Sequence, residues 1–228
     1  MAVELRGLGH PPGVIAADAS VPRNAWVETR LVELAGRGPV LDLGCGRGYW
    51  LGYMAERGVR SIGIEEEVDR VREGLVHAPV AAADGARLPL ADDSFSMVWC
   101  IHVLHHLDDP AVVLAEARRV LRSGAHLVLA ETVEDNPAIR IGRRVWPHWD
   151  GVPIRSRFTA ASLLGLVREA GFDVVEHRQH SLTSFAAWAL PERVAGTAWT
   201  VLSGLEEKLV PARLNRWGAH LEVVARAS

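Results

Sequence analysis

The chain has 228 residues, 49% of them hydrophobic and 23% charged, with a formal net charge of −3. This is the ordinary balance of a soluble globular protein with room for a real core. Without a Lys/Arg run, no broad attraction to nucleic acid is expected. No apolar run reaches the roughly 18 residues a membrane helix needs.

Residues 1–22 hold Gly7, Gly9, Pro11, Pro12, Gly13 and Pro22, too many breakers for a long element, and read as a surface arm. They lack a basic region followed by an apolar block, so no signal peptide is expected. With Cys45 and Cys100 the only cysteines, a disulfide scaffold is excluded and a reducing cytoplasm is the default. Asn24 is placed to cap a helix running to about Ala35, with Trp26, Val27, Leu31 and Leu34 toward the core. Strands are predicted over 39–43, 59–64, 79–83, 95–100 and 125–130. Helices are predicted over 48–57, after Glu65-Glu66-Glu67 to about Val76, and from Asp109-Pro110 to about Leu121, where Ser123-Gly124 ends the last of them. This alternation implies a parallel sheet with helices on both faces.

Beyond Glu131 the pattern loosens. Residues 132–158 look like an active-site excursion; Thr159 caps a helix to about Ala170, and Phe172 to Gln179 reads as a strand. Two helical pieces are expected within 182–214, then a last strand over 219–225. With no internal repeat or linker, 1–228 is taken as one domain. It has an arm (1–22), a ligand-binding core (38–131) and two cap segments (132–158 and 182–217).

Chemistry concentrates where Val40-Leu41-Asp42-Leu43 runs into Gly44-Cys45-Gly46-Arg47-Gly48. An apolar strand, a glycine turn and a helix start place backbone amides against an anionic or nucleotide-type ligand. The dinucleotide fingerprint G-x-G-x-x-G is not met, because Tyr49 stands at its third glycine. Glu65 follows Gly44 by 21 positions, at a strand tip, where a carboxylate offers two acceptor oxygens to a ribose diol. A solvated helix start is the plainer reading and suits Glu66 and Glu67 better. Asp84 ends the third strand, where it would accept from an adenine amine while the Gly85 amide faces a ring nitrogen; its plainer reading is a turn cap.

The glycine stretch resembles motif I of class I S-adenosylmethionine-dependent methyltransferases, in the form VLDLGCGxG. The runs Ala83–Phe95 (ADGARLPLADDSF) and Val98–Leu107 (VWCIHVLHHL) resemble the family's D-A-x-x-L-P-F-x-D-x-S-F-D and V-V-S-x-x-V-L-H-H-L, in the right order across residues 38–131. Ser96 departs from the family's usual aspartate. The resemblance implies a Rossmann-like, doubly wound, mostly parallel seven-stranded sheet with an antiparallel last strand and a helical cap. It implies S-adenosylmethionine as cofactor and S-adenosylhomocysteine as product. Asp42 would brace the loop, and Gly44, Cys45 and Gly46 would hold the methionine moiety. Glu65 would take the ribose and Asp84-Gly85 the adenine, while the Cys100 backbone would close on the amino group.

The expected activity is methyl transfer to a small-molecule acceptor at oxygen or nitrogen, of the metabolite and natural-product type. Cys100-Ile101-His102-Val103 stands where base- and protein-modifying amino methyltransferases often carry Asn/Asp-Pro-Pro-Tyr. The alternatives are a tRNA or protein methyltransferase and a non-catalytic cofactor-binding partner subunit. His102 is the candidate base or orienter, and His105 the second choice. Packing is the plainer reading of both, and His106 is read as structural. The spacing of these three histidines also fits a metal site, but no partner ligand is evident in the sequence, and none is expected.

Trp146, His148, Trp149, Phe158, Trp188, Trp199 and Trp217 either clamp a planar acceptor or form a satellite core. Arg140, Arg143, Arg144, Arg155 and Arg157 either receive an anionic group or make a solvated face. The helices of 182–214 serve equally as a homodimer contact.

Overall fold

The structure, a computed structural model, describes residues 22–36, 38–74, 78–145, 154–189 and 192–228. Its strands are β1 (Val40–Leu43), β2 (Ser61–Glu65), β3 (Val80–Ala82), β4 (Phe95–Ile101), β5 (Leu121–Thr132), β6 (Phe172–His180) and β7 (His220–Ala227). They form one seven-stranded sheet in the order β3-β2-β1-β4-β5-β7-β6. β1 to β5 pair in parallel, and β7 runs antiparallel to both β5 and β6. The helices are α1 (Pro22–Leu34), α2 (Tyr49–Glu56), α3 (Val68–Gly74), α4 (Pro110–Val120), α5 (Pro137–Val145), α6 (Ala160–Glu169) and α7 (Glu192–Leu209).

The central strands are apolar on both faces because both faces are covered. Leu41, Val98 and Leu129 pack with Leu114 and Ala117 of α4 and Leu163 and Val167 of α6. Val40, Trp99 and Val128 point the other way, onto Val27 and Leu31 of α1 and Met54 of α2. After β1 the chain winds outward to β2 and β3, then returns to lay β4 on the other side of β1. The strand order therefore reverses between β1 and β4, where a sheet of this kind opens a crevice at its carboxyl rim.

Local signals account for most boundaries. Asp109 caps α4 through the Ala111 amide at 3.2 Å with Pro110 in the first turn, and Thr159 and Ser162 form a reciprocal capping box on α6. Ser96 Oγ donates to the carbonyls of Ala35 and Pro39 at 2.9 and 3.1 Å, tying the end of α1 to the start of β4.

Several expectations are corrected. α1 begins at Pro22, so Asn24 lies inside the helix and does not cap it; proline suits a first turn, whose amides need no helical acceptor. Ser123-Gly124 does not precede β5 but bulges within it. Leu121 already pairs with Phe95 and His126 with Met97, and Gly124 takes φ +76° between them. The excursion 132–158 contains α5, opened by Asn136 Oδ1 accepting from the Ala138 amide at 2.9 Å. Around α7, 3₁₀ turns at Ser184–Ala189 and Ala212–Trp217 make three helical pieces where two were expected. The expected arm, apart from Pro22, lies outside the described residues, as do Trp146, His148 and Trp149. Among the described residues no helix is long and apolar enough to cross a membrane.

Candidate active site

β1 ends at Leu43 and the chain turns at once. Gly44 takes φ +74°, and a Cβ there would stand 2.5 Å from Cγ2 of Val103, so backbone and space both require glycine. The Gly44 and Cys45 amides donate to the Ile64 carbonyl at 2.8 and 3.0 Å, which hangs the loop from β2. The Gly46 amide donates to Oε2 of Glu65 at 2.9 Å, and the Glu67 amide to Oε1 at 3.0 Å. One carboxylate thus holds both the glycine loop and its own turn.

Beneath the loop, Cys45 packs on Gly63, where a Cβ would stand 2.6 Å from its sulfur. Asp42 is 2% exposed, and its Oδ2 has no hydrogen-bond partner among the described residues. Burial first, then the charge of Glu65, push the Asp42 carboxyl up from 3.8 to about 8. Burial also raises both thiols, helped by Asp42 and Glu65 at Cys45 and by Glu131 and Asp42 at Cys100. Both are protonated packing groups in this setting.

The opposite wall is the turn after β4. His102 takes φ +57° while its amide donates to the Ala130 carbonyl at 2.8 Å. Glu131, fully buried on β5, accepts from the Val103 and Leu104 amides through Oε1 at 2.9 and 2.6 Å. Its Oε2 lies 2.5 Å from His105 Nδ1. Opposite a carboxylate oxygen, Nδ1 is the donor of this bond. The His105 carbonyl accepts from the Arg155 and Ser156 amides at 2.9 and 3.1 Å, which draws residues 155–156 onto the turn.

Between the walls lies a cavity of about 300 Å³. Gly44, Gly46, Glu65, Gly85 and His102 line it, together with Ile101, Val103, His106 and Arg155. Asp42, Cys45, Asp84, Cys100 and His105 do not. Among the described residues no hydrogen bond reaches Oδ2 of Asp42, and Glu65 braces the loop through the Gly46 amide. Asp84 is exposed, and its Oδ1 accepts from the Ala86 amide at 2.8 Å, the turn-cap arrangement. β4 runs one residue further than expected, so Ile101 reaches the rim and Cys100 stays in the ladder opposite Leu129. His105 stands behind the wall and stacks on His106 at 3.9 Å between ring centroids.

The sequence model of the methyltransferase domain matches residues 41–129. An uncharacterized methyltransferase of Mycobacterium avium (strain 104) is 30% identical over 217 residues, 90% of this chain and 78% of the relative. The chain belongs to the class I S-adenosylmethionine-dependent methyltransferases. Among other methyltransferases, the 27-O-demethylrifamycin SV methyltransferase of Amycolatopsis mediterranei (strain S699) is 38% identical over 120 residues, 45% of this chain and 44% of the relative. In fold, the chain resembles geranyl diphosphate C-methyltransferase from Streptomyces coelicolor A3(2), solved with Mg2+, geranyl-S-thiolodiphosphate and S-adenosyl-L-homocysteine. The TM-score is 0.63 at 16% identity, over 90% of this chain and 76% of that one. The chain spans about half the length of several other curated relatives, 43% to 49%.

For a methyltransferase of this class the cavity fits the cofactor. Its size is that of a small-ligand pocket, a side-chain-free bend forms one wall, and a two-oxygen acceptor stands at the next strand tip. Of the other expected residues that are described, Arg155 lines the cavity and Phe158, Trp217, Arg140 and Arg157 do not. Phe158 is buried in the core cluster beside α6, and Trp217 is 45% exposed with Arg216 over its ring. Arg155 pairs with Asp108, Arg157 lies 3.6 Å from Glu134, and Arg140 donates to the Glu134 carbonyl. Sequence reading missed Glu131, His180, Ser181, His220 and Glu222. For Glu131, His220 and Glu222 the available signal was a charged or imidazole side chain within a mostly apolar strand.

Proposed function

We propose that this methyltransferase transfers a methyl group from S-adenosylmethionine to a small-molecule acceptor, at oxygen or nitrogen, with His102 as base or orienter. The observation that carries it is the single cavity joining the glycine loop and Glu65 to His102 across the β1/β4 switch. When bound, the cofactor supplies an activated sulfonium methyl, so the protein need only align the acceptor, exclude water and handle a proton. In this reading Gly44 and Gly46 receive the methionine moiety, and Glu65 turns an oxygen to the ribose. The Asp84-Gly85 turn borders the adenine, and Ile101 and Val103 form the apolar side. The relative acting on 27-O-demethylrifamycin SV supports a small-molecule acceptor. Three of the five candidate arginines have partners within the chain, which favours a small acceptor over a macromolecule.

Calorimetry with S-adenosylhomocysteine should show binding by the parent and weaker binding by Glu65→Ala. A screen for S-adenosylhomocysteine release across metabolite acceptors should then find turnover. His102→Ala should lower kcat by roughly 100-fold at unchanged cofactor affinity. Absence of binding by folded parent protein refutes the reading.

A further inference from the structure

Behind His102, on the α1 side of the sheet, lies a set of buried polar groups that holding a nucleoside does not require. His220 opens β7, and its ring meets that of His102 edge to face, with centroids 5.5 Å apart. Ser181 Oγ lies 3.0 Å from Nδ1 of His220 and 2.9 Å from Nδ1 of His180. Nε2 of His180 lies 2.9 Å from Oε1 of Glu222, an ion-pair distance reached without the angle of a hydrogen bond. Ser181 is fully buried, His220 and Glu222 nearly so. Oε2 of Glu222 is buried without a hydrogen-bond partner among the described residues.

The backbone is strained at His102 and again at Ser181, in the middle of this set. Among the described residues, the non-glycines with positive φ are Asp93, His102 (+57°) and Ser181 (+68°), so two of the three belong here. Gly218 lets the chain pass so close that a Cβ would stand 2.1 Å from the His180 carbonyl oxygen. Buried imidazoles, a buried carboxylate and left-handed backbone each weaken a fold, and their coincidence points to chemistry.

We propose that His220, Ser181, His180 and Glu222 form a proton-accepting chain behind His102, and that the acceptor it serves is a hydroxyl that loses its proton on methylation. The proposal rests on the reading of His102 as base. An amine attacks through a free lone pair and sheds its proton afterwards, whereas a weakly acidic hydroxyl must surrender it as the new bond forms. The C–O bond forms as the S–CH3 bond breaks, the electron pair of the broken bond staying on sulfur, and the hydroxyl proton passes to His102. His102 and His220 meet by ring contact and not through a hydrogen bond, so one proton crosses to Nε2 of His220 only as the two rings turn toward each other; a proton then passes from His220 Nδ1 to Ser181 Oγ, from the Ser181 hydroxyl to His180 Nδ1, and from His180 Nε2 to Glu222. Glu222 ends as the neutral acid, and His102 is again a free base.

A metal ion is the competing use. His102, His105 and Glu131 hold ligating atoms within 4.8 Å of one another. Ligands about 2 Å from a tetrahedral zinc stand roughly 3.3 Å apart. The 2.5 Å between His105 Nδ1 and Glu131 Oε2 is a hydrogen-bond distance, and Oε1 is already held by two amides. Among the described residues, the titratable and charged groups around the chain include Glu131 on β5, His105 and His106 on the turn after β4, Arg178 on β6, the register partner of Glu222, and Glu206 on α7, which accepts from the Leu182, Thr183 and Ser184 amides.

The test is a histidine-ring NMR titration of the full chain saturated with S-adenosylhomocysteine, for the parent, Ser181→Ala and the isosteric Glu222→Gln. Thermal melts identify folded variants, and Glu222→Gln carries the test should Ser181→Ala not fold. The titration midpoint of His102 is expected to move by about half a pH unit or more in the folded variants. On catechol, an aliphatic alcohol and a primary amine as probes, a hydroxyl should be methylated, with a rate–pH limb that moves with that midpoint. An unmoved midpoint overturns the chain, as does methylation of the amine alone or stoichiometric zinc in the purified parent. Failure of the parent to bind S-adenosylhomocysteine would instead remove the methyltransferase reading beneath it.

Discussion

Asp42 lies under the glycine loop where water does not reach it. With its carboxyl raised from 3.8 to about 8, the folded chain keeps a proton that the unfolded chain releases. The stability this group contributes is complete below about pH 4 and falls as pH climbs toward 8. Asp42→Asn needs no proton, so it should flatten that slope and exceed the parent by roughly 2–4 kcal/mol at pH 8. Urea melts at pH 5 and pH 8 check this, and parallel slopes for the two proteins refute it. Residues of this kind divide by how far their partners lie along the chain. Gly44 and Glu65 were legible because a strand end, a turn and a tip follow one another locally. Glu131 was not, since its partners Val103 to His105 lie 26 to 28 positions away and meet it only through the β4/β5 register. Ser181 and His220 are 39 positions apart, and no local pattern announces their contact. β4 runs one residue past the expected end at Cys100, because a strand's last rung depends on its neighbour's length.

At the scale of elements, the loop from Leu88 to Ser94 has no regular structure yet is firmly held. Arg119 on α4 donates to the carbonyls of Leu88 and Leu90 and to Asp92, while Glu116 accepts from the Leu88 amide at 2.8 Å. The guanidinium of Arg119 also lowers the Glu116 carboxyl below its ordinary range. Charged hydrogen bonds of this kind outweigh neutral ones, so Arg119→Ala should destabilise the chain by roughly 1–3 kcal/mol. Its effect on cofactor affinity should be small, because Arg119 does not line the cavity. Denaturant melts beside S-adenosylhomocysteine calorimetry separate the two quantities. The sequence showed this loop but not its anchor, since a lone arginine on a helix reads as solvated. Caps read well: Asp109 and Thr159 act through neighbours two or three residues on. The bulge at Gly124 did not, because a glycine after a helix signals a stop just as readily as a detour.

Across the whole molecule, α1 is joined to β6 in two ways. Arg30 forks onto both oxygens of Glu176 at 2.9 and 3.1 Å, and Trp26 donates to the same carboxylate at 3.2 Å. Leu31, beside them, is wholly buried against the sheet. Exposed ion pairs contribute about 1 kcal/mol at most, whereas deleting a buried leucine side chain costs about 2–5 kcal/mol. Leu31→Ala should therefore lower the urea midpoint well beyond Arg30→Ala; equal losses would mean that the fork, and not the apolar contact, fastens α1. The position of β7 has a consequence for how such a molecule is made. It is inserted between β5 and β6 but comes later in sequence than both, so during synthesis β6 has no partner and β5 a bare flank until residues 220–227 leave the ribosome. His220 and Glu222 arrive in that same stretch, so the proposed proton chain cannot exist before the sheet closes.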